Sequence, residues 1–154
     1  HIGDGAELPA LRARAEAALG KKENVRVTFC GRLENADIAP YYRGVGAHLF
    51  LNVSESEGLP VSIMEAFSVG VPAMATNVGG VSEIVTPDTG VLLACDASPE
   101  QIARALLDYF ARSEAEKRRL SDGALRLWEH AFDADKNAER FAAALAGLTE
   151  GAGE

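Results

Sequence analysis

Apolar and polar positions along the chain follow two rhythms in turn. Leu8, Leu11, Ala15, Ala18 and Leu19 recur at the three- and four-residue spacing of one helix face. Residues 25–29 form a short apolar run rich in β-branched side chains and read as a strand. The spacing then predicts a short helix over 38–44, an apolar run over 47–53, a helix over 60–69, an extended stretch over 72–76, a short helix over 81–85 and another extended stretch over 90–94. The strand candidates are continuous apolar runs rather than alternating ones, and helices separate them. That pattern belongs to a parallel sheet, because the crossover helices cover both of its faces. The expected fold is therefore α/β: a Rossmann-like parallel sheet with helices on both faces.

From Ser98 onward the pattern is helical throughout, with stretches predicted over 98–112, 115–130 and 133–148. Ser98 precedes Pro99 and Glu100, which suits a capped helix start. Ser113 is a second candidate cap, with Glu116 three residues on. Beyond 148 only small and acidic residues and one threonine remain, so residues 149–154 are expected to form a mobile tail behind one domain spanning 1–148. At the other end, Ile2-Gly3-Asp4-Gly5 reads as the last residues of a strand entering a glycine turn. A strand normally supplies about five or six residues, so the domain is expected to be incomplete at its N-terminus; a frayed terminus is the plainer alternative.

Composition narrows the class without naming a reaction. The chain has 154 residues, 47% hydrophobic and 25% charged, with a net charge of −8. Those values suit one globular domain of ordinary size and exclude a disordered or disulfide-stapled chain. An acidic surface argues against a nucleic-acid partner, whose phosphates demand a basic one. Cys30 and Cys95 sit beside apolar residues, with no second Cys or His at ligand spacing. They are expected to be buried small hydrophobes in a reducing compartment rather than zinc ligands. His48 lies inside the apolar run 47–53 and is expected to be a core residue. No run approaches the ~20 apolar residues of a membrane span, so the expectation is a soluble, cytoplasmic protein.

One segment carries candidate chemistry: Ser54-Glu55-Ser56-Glu57-Gly58-Leu59-Pro60-Val61-Ser62-Ile63-Met64-Glu65-Ala66. It leaves the apolar run 47–53 and opens a helix, which is where parallel sheets bind ligands. Pro60 suits the first helical position. The N–H groups of Val61, Ser62 and Ile63 would then face out of the helix end and favour an anion such as phosphate. Gly58 allows close approach of a ligand to the backbone. Glu57 and Glu65, with seven residues between them, would repel an anion unless they face hydroxyl groups, and a carboxylate accepts strong charge-assisted bonds from a diol. Phosphate together with diols suggests a sugar nucleotide. The plainer readings are capping boxes, Ser62-x-x-Glu65 for one acid and Ser54-x-x-Glu57 for the other.

The run EGLPVSIMEA, followed by GVPAMATNVGGVSEIV and TGVLL, closely resembles the C-terminal, donor-binding domain of retaining family 4 glycosyltransferases of the GT-B fold. HIGDG with its helix, VRVTFCGRL and SESEG are similar to that family as well, so the resemblance runs from His1 to about Val91. It implies the C-terminal half of a GT-B fold, truncated at its N-terminus and followed by C-terminal helices. It also implies transfer of a sugar from a UDP- or GDP-linked donor to a saccharide or lipid-linked acceptor, with neither metal nor other cofactor.

By the resemblance, Glu57 is the first acid of the family's Glu-x7-Glu motif, lying by the donor sugar and catalytic, and Glu65 is the second, on the ribose. Gly58, Leu59, Pro60 and Val61 would present backbone to the donor, while Gly31, Arg32 and Leu33 would lie near the base. Arg32 reads equally as a surface cation. Asn77-Val78-Gly79-Gly80 and Glu83 read first as a glycine turn into a short helix. Asp133-Ala134-Asp135 reads as a helix-start pair rather than a metal motif.

The family's basic pair for the diphosphate and its N-terminal acceptor domain have no counterpart in this chain. The resemblance thus implies an inactive part of an enzyme that needs that domain, through which it could sit at the inner membrane face. A sugar-nucleotide 2-epimerase and a non-catalytic binding module remain the alternatives.

Overall fold

The computed structural model describes the backbone of residues 1–150 and the side chains of residues 1–145. The chain packs as two units, His1–Tyr41 and Tyr42–Glu154.

In the first unit, α1 spans Leu8–Leu19, has Pro9 in its first turn and buries none of its residues. The predicted strand over 25–29 does not form. Within this unit the stretch that follows α1 finds its ladder partner only in His1 to Gly3: a single parallel bridge joins Ile2 to Gly31, the Cys30 N–H reaches the His1 carbonyl at 2.9 Å, and the Gly3 N–H reaches the Gly31 carbonyl at 2.7 Å. Two or three residues cannot hold a ladder of ordinary length, and Val25 and Val27 stay 42% and 43% exposed. Cys30 is half-buried rather than buried and donates to the Tyr41 hydroxyl at 2.9 Å. Helix α2, Asn35–Val45, starts three residues before the predicted stretch and contains the division between the units.

The second unit contains the sheet. Strands β1 (Phe50–Asn52), β2 (Ala73–Thr76) and β3 (Gly90–Leu93) run parallel in the order β1-β2-β3. Phe50 pairs with Ala73 and Asn52 with Ala75, while Ala73 pairs with Gly90 and Thr76 with Leu93. Helices α3 (Val61–Phe67) and α4 (Val81–Ile84) make the crossovers. Helices α5 (Pro99–Phe110), α6 (Glu114–Ala131) and α7 (Ala134–Glu150) follow.

Strand β2 is buried at every position, and its side chains alternate between two clusters as a strand's must. Ala73 and Ala75 pack with Ile63 and Phe67 of α3, Val81 and Ile84 of α4 and Ala124 of α6. Met74 packs with Leu93, Leu120 of α6 and Tyr109 of α5. The sheet is thus covered on both faces, as the continuous apolar runs predict. Each large side chain fully buried here, such as Phe67 or Ile63, contributes roughly 1.5–3 kcal/mol of apolar burial. The buried Tyr109 keeps its hydroxyl satisfied on the His48 carbonyl at 2.8 Å. His48 itself is exposed, not a core residue, because only its backbone faces inward to Tyr109. Cys95 is exposed also, in the turn after β3.

Helices α5 and α6 both begin in complete capping boxes. The Ser98 hydroxyl accepts from the Gln101 N–H while the Gln101 side chain accepts from the Ser98 N–H, and Ser113 does the same with Glu116. At the start of α7, Asp133 Oδ1 accepts from the N–H groups of Asp135 at 3.1 Å and Lys136 at 3.2 Å, the helix-start role expected of the Asp133-Ala134-Asp135 pair. Helix α7 includes Thr149 and Glu150; residues 151–154 of the expected tail lie outside the described residues. Among the described residues no helix is long and apolar enough to cross a membrane.

Candidate functional site

The neighbouring strands β1 and β2 end on Asn52 and Thr76, two buried polar residues. A buried polar side chain is costly unless it is bonded, and both are used to hold the loop that follows β1. Asn52 Oδ1 accepts from the Ser54 N–H at 2.9 Å, and Asn52 Nδ2 donates to Glu57 Oε1 at 3.1 Å. The Ser54 hydroxyl donates to the same Glu57 oxygen at 2.7 Å. The Thr76 hydroxyl donates to the Ser54 carbonyl at 2.6 Å, tying the loop across to β2.

Glu57 is half-buried under these bonds. Its carboxyl is held below the usual carboxylate range, first by the Ser54 hydroxyl and then by the Asn52 amide, against a smaller opposing effect of burial. The Ser54-x-x-Glu57 pair expected from the spacing is therefore present, but it caps no helix, because α3 begins only at Val61.

The loop 77–80 lies directly against this one. Gly79 has φ +52°, and a Cβ built on it would fall 1.8 Å from the Glu57 carbonyl oxygen. The Gly80 N–H donates to the Gly58 carbonyl at 2.9 Å. Gly79 requires glycine, for its left-handed conformation and its lack of room. The glycine turn into α4 is there, and it also fixes the backbone of Glu57 and Gly58.

Helix α3 departs from expectation at its first residue. Pro60 is the cap, not the first helical residue, and no side chain caps the helix. The Pro60 carbonyl accepts from the Ile63 N–H at 3.1 Å and the Met64 N–H at 3.4 Å. Ile63 is thereby removed from the expected outward donors; the N–H groups of Val61 and Ser62 have no acceptor among the described residues. Ser62 is the second helical residue, so the Ser62-x-x-Glu65 capping box does not form. Glu65 sits half-buried in the second turn, and Leu59 and Val61 are exposed apolar residues beside the loop.

The structure thus gathers Glu57, Gly58, Leu59, Pro60, Val61 and Glu65 on one connection and its helix. Gly31, Arg32 and Leu33 belong to the other unit: Gly31 is left-handed at φ +69°, Arg32 is exposed and Leu33 half-buried. Asn52 and Thr76 are additions that sequence reasoning missed, although a polar residue closing an apolar run was their visible signal. Among the described residues no group of three or more His, Cys, Asp or Glu side chains gathers to hold a metal ion.

Comparison with known proteins places the chain in a family. The family model described as Glycosyl transferases group 1 matches residues 1–112. TuaC of Bacillus subtilis, named for teichuronic acid biosynthesis as a glycosyltransferase, is 32% identical over 141 residues, covering 90% of this chain and 32% of TuaC. The D-inositol 3-phosphate glycosyltransferase of Frankia alni is 32% identical over 123 residues, covering 80% and 29%. Among solved structures, sucrose-phosphate synthase from Thermosynechococcus elongatus superposes with a TM-score of 0.73 at 24% identity, over 97% of this chain and 38% of that one. Anabaena HepE in complex with UDP and glucose superposes with a TM-score of 0.72 at 21% identity, over 95% and 39%. At these identities the structural likeness speaks for the fold. The chain belongs to the group 1 glycosyltransferases, and its sheet with helices on both faces is part of their GT-B fold. It covers about a third of the length of TuaC and of the Frankia alni enzyme.

Proposed function

We propose that this chain forms the donor-binding part of a retaining glycosyltransferase, which takes a sugar from a UDP- or GDP-linked donor and passes it to a saccharide or lipid-linked acceptor without a metal ion. One observation carries the reading: the Glu57 carboxylate is held charged at the carboxyl end of β1 with both loop bonds on a single oxygen, leaving Oε2 with no donor among the described residues. An ionised carboxylate only accepts hydrogen bonds, so it matches the hydroxyls of a sugar and opposes its phosphates. In this reading Glu57 faces the donor sugar and Glu65 the ribose. Gly58, Leu59 and Pro60 give the sugar close backbone contact. The Val61 and Ser62 N–H groups meet the diphosphate. As the sugar–phosphate bond breaks, its electron pair leaves on the diphosphate, and fixed N–H dipoles stabilise that growing charge without reorganising. The HepE structures that resemble this fold hold UDP, UDP with glucose, and UDP-glucose, which is the ligand class proposed. An N-terminal domain of the same polypeptide would bind the acceptor and bring the protein to a membrane face, and the 154-residue chain by itself would then transfer no sugar.

The test is a thermal-shift panel on the full-length protein with UDP, GDP, UDP-glucose, GDP-mannose and ATP. A ligand at a hundred times its Kd stabilises the native state by about 2.7 kcal/mol. One nucleotide family is expected to raise the melting temperature, and its sugar nucleotide to raise it further. No shift with any nucleotide or sugar nucleotide would overturn the reading. Conversion of the donor alone, with no transfer to an acceptor, would point to epimerase chemistry instead.

A further inference from the structure

We propose that Asn52 and Ser54 are positioning residues that together occupy one oxygen of the Glu57 carboxylate, so that the other, Oε2, is presented to the donor's hydroxyls. The inference rests on the reading of Glu57 as a donor-binding group and adds how that group is aimed.

The contrast with Ser113 and Glu116 shows why this is not ordinary capping. There the serine N–H and hydroxyl both donate to one glutamate oxygen, Oε2, at 2.9 and 2.6 Å, and the glutamate N–H returns to the serine oxygen at 3.3 Å. That carboxylate serves the backbone at a helix end. At Ser54 the N–H is taken by Asn52 Oδ1 instead. Asn52 relieves Glu57 of the backbone duty, and no helix begins there to be capped.

The Asn52 amide cannot turn over without placing its NH2 group against the Ser54 N–H, so Nδ2 must face Glu57. Asn52 is 9% exposed at the end of β1, and its amide is engaged at both ends. The Thr76 hydroxyl on the Ser54 carbonyl holds the loop, and Gly79 lies hard against the Glu57 carbonyl, so neither partner can swing away. Two donors fill the acceptor capacity of Oε1, which leaves Oε2 as the acceptor for a ligand. The same two bonds keep the carboxyl charged at lower pH than usual.

The experiment uses the full-length protein with the donor that the thermal panel selects. It measures release of nucleoside diphosphate against pH, and the Kd of the bare diphosphate, UDP or GDP, by calorimetry. Ser54→Ala is expected to lower kcat about tenfold, the loss of one charge-assisted bond. It should move the acid limb of the profile to higher pH and leave the affinity for the bare diphosphate unchanged. Ser54→Thr, which keeps the hydroxyl, should restore both kcat and the limb. Asn52→Asp, which keeps the shape but sets a second carboxylate against the first, should move the limb further in the same direction.

Wild-type kcat and acid limb in both Ser54→Ala and Asn52→Asp, with turnover lowered in Glu57→Gln, would overturn the positioning role alone. Equal loss of turnover and of bare-diphosphate affinity with an unmoved limb would overturn it too, since that marks general loop damage. Wild-type turnover in Glu57→Gln would instead overturn the donor-binding reading beneath it.

Discussion

Two kinds of helix start occur in the same unit, and they differ in what they do with their N-terminal N–H groups. Helices α5 and α6 begin on Ser98 and Ser113, whose side chains and those of Gln101 and Glu116 bond the backbone reciprocally. Helix α3 begins on Pro60, which has no side chain able to cap and leaves the Val61 and Ser62 N–H groups without acceptors. Capping contributes about 1 kcal/mol per helix, so an uncapped start is a stability cost. The capped ends belong to the packing helices that close the chain. The start of α3 lies where two strands terminate, beside a glutamate bonded by a loop amide and a loop hydroxyl rather than by the backbone of a helix end. Helices α5 and α6 gain stability at their starts, and α3 leaves two backbone donors open at its own.

The sharpest way to break that contrast is at Glu57. In the full-length protein Glu57→Gln is expected to lower turnover by roughly ten- to a hundredfold, the worth of a charge-assisted bond made to the donor sugar. Affinity for the bare nucleotide should change little, as calorimetry would show. Gly79→Ala comes next. The new methyl group meets the Glu57 carbonyl in a left-handed conformation, so a stability loss of about 1–3 kcal/mol in thermal melting is expected, together with weaker donor binding. Glu65→Gln should weaken nucleotide and sugar nucleotide alike by about tenfold; an unchanged nucleotide Kd would remove its ribose role.

The smallest effects belong to the packing helices. Ser98→Ala or Ser113→Ala should each cost about 1 kcal/mol of stability and leave donor affinity intact. A loss of donor affinity there would erase the difference between the two kinds of start. Acid should act on both regions in the same sense. Glu57, Glu100 and Glu116 are all held below the usual carboxylate range, each chiefly by a serine hydroxyl. A carboxyl lowered on folding supports the native state at pH above its unfolded value and loses that support as pH falls through the folded one. Stability should therefore persist through mild acid and decline only below the ordinary glutamate range. Donor binding should decline with it as Glu57 protonates.

Much of this is legible in the sequence. The Ser98 and Ser113 caps were readable because capping is local: Ser98 stands before Pro99 and Glu100, and Ser113 three residues before Glu116, each ahead of a long helical pattern. The burial of β2 was readable because three successive apolar residues, Ala73, Met74 and Ala75, admit no solvated face. The candidate loop was readable from Glu57 to Glu65, yet Pro60 lies one position earlier in the helix than its ring suggests, and Ile63 is turned inward by a tight first turn.

What escaped reading is non-local. Residues 25–29 have strand composition but lack a ladder partner of useful length in their unit, and composition does not supply a neighbour. His48 sits in an apolar run, yet only its carbonyl is used, by a tyrosine sixty-one residues away. Asn52 and Thr76 gain meaning only when β1 and β2 lie side by side and bring their ends to one loop.

The central claim is that the connection from Asn52 into α3 holds a sugar nucleotide, with acids on its hydroxyls and bare N–H groups on its diphosphate. A crystal structure of the full-length protein with its donor tests it directly. The diphosphate is expected within hydrogen-bond reach of the Val61 and Ser62 N–H groups, Glu57 Oε2 on a sugar hydroxyl and Glu65 on the ribose. Donor density elsewhere, with residues 57–65 untouched, would contradict it.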